Sequence, residues 1–201
     1  MAEPVRKEPA ALTRYLYLAR HGEATPDESG LTEAGRRQAA LLGERLRDVP
    51  LAAVHHGPLP RAAETARIAA ARLPGVPVHA CEPAGDYVPY VPRRDELPPQ
   101  AADHYLGFLA QFPPEDVKPE LAGEAVARFT GPSDETRHEL VVTHNFLIAW
   151  LVRHALDAPE ARWLGLNHAN AALTAIRYAA GRPPALLFFN DRSHLPPEMP
   201  G

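Results

Sequence analysis

Short apolar runs alternate along this chain with longer stretches in which apolar residues return every three or four positions, and that alternation predicts the architecture. Tyr15-Leu16-Tyr17-Leu18-Ala19 lacks the every-second-residue pattern of a half-exposed strand and reads as a buried, parallel one. Leu51 to His55 is a second such run, and Val76 to Cys81 a third, placed at a sheet edge by Pro77. Glu139 to Thr143 is the clearest buried strand. Ala171 to Tyr178 and Ala185 to Phe189 flank Gly181-Arg182-Pro183 and predict a closing hairpin. Helical periodicity fills the gaps. Thr32 is a fitting N-cap for a helix running to about Asp48, with Ala39, Leu42 and Leu46 on one face. Leu59 to Leu73, Gln100 to Gln111, Pro119 to Phe129 and Asn145 to Leu156 complete the set. Strands alternating with helices imply an α/β fold: a three-layer sandwich whose central sheet of about six mainly parallel strands carries helices on both faces.

Composition narrows the class. A length of 201 residues with 45% hydrophobic residues suits one sizeable core, assigned here to residues 15–192. Residues 1–14 form a charged, proline-broken N-terminal segment expected to be flexible, and 193–201 a proline-rich tail. Many of the 23 prolines gather between Pro83 and Pro119, so that stretch starts as connection rather than core. The formal charge of -4 comes from intermixed acids and bases, which argues against a nucleic-acid or acidic-membrane partner. The single cysteine, Cys81, excludes an internal disulfide, and residues 1–14 contain no apolar signal core. No apolar run reaches the roughly 20 residues that span a bilayer. Together these features predict a cytoplasmic protein.

The chemistry collects at element boundaries. Arg20 and His21 close the first strand, where open α/β sheets bind ligands, and Gly22 lets the chain turn away. His144 closes the Glu139 to Thr143 strand. Arg61 lies in the first turn of the helix after the second strand, beside unpaired amides and the positive end of the dipole. If these strands are neighbours, two guanidinium forks and two imidazoles meet in one crevice. That set can grip a phosphate dianion, attack it with a neutral ring nitrogen, and stabilise the charge without a metal or other cofactor.

Arg20-His21-Gly22, then Leu31-Thr32-x-x-Gly35-x-x-Gln38-Ala39, then Pro58-Leu59-x-Arg61-Ala62-x-Glu64-Thr65-Ala66, then Val141-Val142-Thr143-His144-Asn145 resemble the motifs of the histidine phosphatase superfamily, which holds the phosphoglycerate mutases and acid phosphatases. The likeness runs from about Tyr15 to Asn190. It implies a phosphoglycerate mutase-like fold and a phosphomonoesterase in which His21 forms a phosphohistidine that water hydrolyses. Arg20, Arg61 and His144 then complete the phosphate pocket. The family's general acid follows the third strand, where Glu82 fits first and Asp86 is the rival. Two departures stand out: His55-His56-Gly57 replaces the serine common before the proline, and Asn145 replaces a glycine or alanine. Asn145 either adds a donor to the pocket or only starts the helix.

The resemblance also bears on the reaction. Only Glu23 to Gly30 separates Gly22 from Leu31, and the tail is short, which favours hydrolysis over mutase-type transfer because water reaches the site. Thr143 to Ile176 is similar to a branch that contains a protein serine/threonine phosphatase, so the expected partner is a phosphorylated small molecule or a phosphoprotein. A catalytically weak phosphate-binding module is the alternative of another class. The ten histidines show no paired helical spacing for zinc; Asn167 to Asn170 reads as turn chemistry, although the resemblance puts Asn170 where members of the family approach their site; Cys81 reads as a small buried filler, and Trp150 and Trp163 as core.

Overall fold

A computed structural model describes residues 12–199. Six strands form one sheet: β1 (Thr13–Arg20), β2 (Leu51–His56), β3 (Val78–Ala80), β4 (Arg137–Thr143), β5 (Leu173–Ala179) and β6 (Ala185–Asp191). The helices are α1 (Glu33–Leu46), α2 (Pro60–Ala70), α3 (Ala102–Leu109), α4 (Pro119–Phe129) and α5 (Asn145–Ala155), with short 3-10 turns between them. The spatial order is β3-β2-β4-β1-β5-β6. The first four run parallel, and β5 pairs antiparallel with both β1 and β6. The fold is therefore the mainly parallel α/β sandwich that the pattern implies.

Side-chain alternation explains the three layers. On β1, Leu16 and Leu18 enter one core with Val141, Ile176 and the α4 and α5 residues Phe129, Ile148 and Leu151. Ala19 enters the other, with Leu140, Val142 and the α1 and α2 residues Leu42, Leu46, Ala62 and Ala66. Because β1 and β4 feed both cores, neither can afford a polar face at its centre. α1 begins as its sequence suggests: Thr32 Oγ1 accepts the Gly35 amide, and Glu33 stands in the first turn. Gly22 and Gly35 let this helix start lie against the turn after β1, since a Cβ on Gly22 would meet the Gly35 carbonyl oxygen at 2.5 Å.

Boundaries differ in instructive ways. Val78–Ala80 is shorter than the run from Val76 because Pro77 can donate no ladder hydrogen bond. The segment drawn as 1–14 ends too late, since Thr13 and Arg14 already pair with Ala179 and Tyr178 of β5; its first eleven residues lie outside the described ones. In the tail, Leu195 and Met199 are buried and Arg192 donates to the Met199 carbonyl, so the described part packs against the body. Pro200 and Gly201 lie outside. No described helix is long and apolar enough to cross a membrane.

Candidate active site

Strand register brings the two imidazoles together. Arg20 is the partner of Thr143 across the parallel β1/β4 pair, so the next residues, His21 and His144, leave the sheet side by side. Their ring centroids are 5.0 Å apart. On the other side of β4, His56 pairs with Val142, so β2 ends at the same level and α2 starts beside them. Its second residue is Arg61, buried together with His21 and His144. α2 and α5 both open at the crevice without a side-chain cap, which turns their positive ends toward it. Arg20 completes the group, its Nη1 held by the His168 carbonyl at 2.7 Å.

Hydrogen bonding fixes the chemistry of His21. Its Nδ1 lies 2.7 Å from the Gly22 carbonyl oxygen, which can only accept, so the proton resides on Nδ1 and Nε2 carries the lone pair. Burial first, then the neighbouring His144, pushes its pKa down to about 3. Burial, with Arg61 and Arg20, takes His144 to about 3 as well. Both rings are neutral at physiological pH. Arg61 Nε donates to His21 Nε2 over a long 3.3 Å. Among the described residues neither ring nitrogen of His144 has a hydrogen-bond partner, although Nδ1 stands 3.3 Å from Asp86 Oδ2. A buried imidazole left open toward a crevice is what a bound oxyanion would satisfy.

The crevice encloses about 560 Å³, with Arg20, His21, Arg61 and His144 at its floor and Tyr87, Val88, Phe112 and Phe146 among its walls. Asp86 also lines it and accepts from Arg61 Nη2 at 2.6 Å. The structure does not bring Glu82 there. Glu82 begins a 3-10 turn at the end of the β3 strand, is exposed, and does not line the crevice. The turn sends it outward and brings the carboxylate four positions later inward. Asn145 lines the crevice, but its Oδ1 accepts the His168 amide at 2.7 Å. That bond holds the loop that in turn holds Arg20. His55 and His56 stay apart: His55 reaches Glu139, and His56 its neighbour Gly57. Among the described residues no cluster of three or more His, Cys, Asp or Glu side chains is arranged to hold a metal ion.

Several contributors were given no role from sequence, although Gln38 and Thr65 stand within the quoted motifs. Thr65 Oγ1 accepts the Gly22 amide at 3.0 Å and donates to the Arg61 carbonyl at 2.7 Å, tying together two elements that border the crevice. Its position one helical turn after Arg61 was the available signal. Gln38 Oε1 accepts the Glu23 amide at 2.8 Å. Asn170 Nδ2 and the Ala171 amide both donate to the His21 carbonyl, the second at φ +52°. Glu28, on the loop before α1, accepts from Arg61 Nη1 at 3.1 Å; nothing in its charge-rich context marked it.

The sequence profile described as Histidine phosphatase superfamily (branch 1) matches residues 16–84 and 99–192. The mitochondrial serine/threonine-protein phosphatase Pgam5 of Caenorhabditis elegans is 30% identical over 96% of this chain and 68% of its own length. The human PGAM5 is 28% identical over 94% of this chain and 66% of its own. The chain thus spans about two-thirds of the length of these relatives. Among solved structures, Bacillus stearothermophilus YhfR superposes with a TM-score of 0.63 at 28% identity, covering 90% of this chain and 98% of that one. Mycobacterial hydrolase 1 gives 0.66 at 23%, covering 89% and 99%, a likeness of fold alone. Both Pgam5 proteins are named as mitochondrial, which overturns the expectation of a cytoplasmic location. With its motifs inside the matched span and its mainly parallel sheet shared with these structures, the chain belongs to branch 1 of the histidine phosphatase superfamily.

Proposed function

We propose that the chain is a phosphomonoester hydrolase that works through a phosphohistidine on His21. The observation that carries this reading is the state of His21: neutral, with Nδ1–H held by Gly22, and its lone-pair nitrogen in a crevice floored by Arg20, Arg61 and His144. The two guanidinium groups and the helix amides take the non-bridging oxygens, and His144 donates to one of them. Nε2 attacks phosphorus in line while the ester oxygen leaves with a proton from the Asp86 carboxyl group. Asp86 then takes a proton from the water that cleaves the P–N bond, releasing phosphate and restoring the neutral imidazole.

Asp86 replaces Glu82 as the proposed proton donor because it alone of the two lines the crevice. Hydrolysis rather than mutase transfer is favoured by the tight loop from Glu23 to Gly30, which cannot fold over a bound sugar phosphate as a long cover would. The names of the Pgam5 relatives support phosphoserine or phosphothreonine in protein as substrate, alongside small phosphate esters.

Wild type, His21→Ala, Asp86→Asn and Glu82→Gln are compared for phosphate release from p-nitrophenyl phosphate and from a phosphoserine peptide. His21→Ala should release none. Asp86→Asn should lose on the order of 10²- to 10⁴-fold with the peptide, whose leaving group is poor, and far less with the aryl ester. Glu82→Gln should match wild type. Rapid quench should trap a phosphoenzyme stable in alkali and labile in acid. Turnover persisting in His21→Ala would end the proposal, and a Glu82→Gln loss without an Asp86→Asn loss would return the proton to Glu82.

A further inference from the structure

Each of the three Arg61 nitrogens already meets a partner from the chain itself, with one further N–H left on each Nη. Its Nε–H points to His21, Nη2–H to Asp86, and Nη1–H to Glu28. A phosphate dianion that uses this guanidinium fork in two-point fashion binds nitrogens that a carboxylate already holds by one N–H, and so competes with that negative charge for the same cation. The two carboxylates are not equivalent. Asp86 has a side chain 34% exposed and stands over His144, whereas the Glu28 side chain is 67% exposed and touches the crevice only through its tip. Releasing Glu28 to water strips little from it; releasing Asp86 would remove the group assigned the proton.

The loop is built to present that tip. Ala24 and Leu31 bridge at its base, the Thr25 amide donates to the Gly30 carbonyl, and the Asp27 carboxylate accepts from Thr25 and Ser29. Glu64, on α2 one turn after Arg61, pins the Leu31 amide at 2.8 Å. Glu28 holds φ at +56°, a conformation residues with a Cβ disfavour. What the loop obtains from a glutamate there is its carboxylate on Arg61.

We infer that Glu28 is an internal competitor of phosphate: its carboxylate holds Arg61 Nη1, yields to a phosphoryl oxygen when substrate enters, and returns to expel inorganic phosphate after hydrolysis. This rests on the crevice being the phosphate site. It implies that wild type tolerates phosphate as product better than a neutral loop would, because the dianion must displace one negative group and then sit near it.

Calorimetric titration with inorganic phosphate, and its inhibition constant against p-nitrophenyl phosphate, are measured for wild type, Glu28→Gln and Glu28→Ala. Glutamine keeps an acceptor for Arg61 but no charge; alanine keeps neither. An internal competitor predicts about five- to tenfold tighter phosphate binding in both variants. A mere tether for the loop predicts that glutamine behaves as wild type and alanine binds more weakly, which would overturn the inference. Arg61→Ala should lose binding in every background. If wild type and both Glu28 variants bind no phosphate, the inference falls together with the phosphate site. If they bind with the predicted order yet none turns over the ester, only the hydrolase reading falls.

Discussion

His21, His144 and His168 are three imidazoles held neutral by burial, and this has a cost in acid. The first two have pKa values near 3 and His168 near 4, against about 6.5 for an unconstrained ring. As pH falls through about 6.5 the unfolded chain binds protons on all three, whereas the folded chain binds them only near 3 to 4. Their stabilising contribution is therefore complete above about pH 6.5 and is lost progressively below it. Urea unfolding between pH 4 and 7 should show stability rising with pH, with a shallower slope in His144→Gln. Equal slopes in the two proteins would remove His144 from this account. At this scale the sequence spoke clearly where a residue sits at a strand or helix boundary, as Arg20, His21, Arg61 and His144 do. It was silent on Glu28 and left Glu82 and Asp86 as rivals, of which the structure turns Glu82 away from the crevice, because each depends on how a loop turns.

The elements show why those loops were opaque. The path from β3 to Asp86 is set by contacts distant in sequence. Thr143 Oγ1, from the end of β4, donates to the Ala84 carbonyl at 2.7 Å, and Gly57 lets that carbonyl approach so closely that a Cβ would lie 2.3 Å from it. Proline content announces a connection but not which of its carboxylates faces inward. α2, by contrast, was readable as a helix, yet its deeper role lies in Thr65. Replacing Thr65 by valine keeps the shape but leaves the buried Gly22 amide without its acceptor, which should cost about 1–3 kcal/mol. Because Gly22 also supplies the carbonyl that sets the His21 tautomer, kcat should fall with stability. Thr65→Ser, which retains the hydroxyl, should recover most of the turnover. Recovery of stability by serine without recovery of turnover would show that the bond serves folding alone.

Across the whole molecule, one arrangement decides the rest: β1 lies between β4 and β5, so the first strand of the chain is completed by its last third. The alternating run of strands and helices made the parallel half legible, since β1, β2 and β4 are continuous apolar segments. Less legible was the reversal at β5. It follows from the loop through Asn167 to Ala172, where the left-handed Ala171 sends its amide back to the carbonyls of Arg20 and His21 and Asn170 reinforces the second of these. Arg20 is clasped from the same loop through His168. The His21 carbonyl, made early by the ribosome, thus waits for residues some 150 positions later to donate to it. A nascent chain halted before Asn170 carries every residue of all four motifs and still lacks the two donors to that carbonyl. The last support of the crevice is thus among the later parts of the chain to be made.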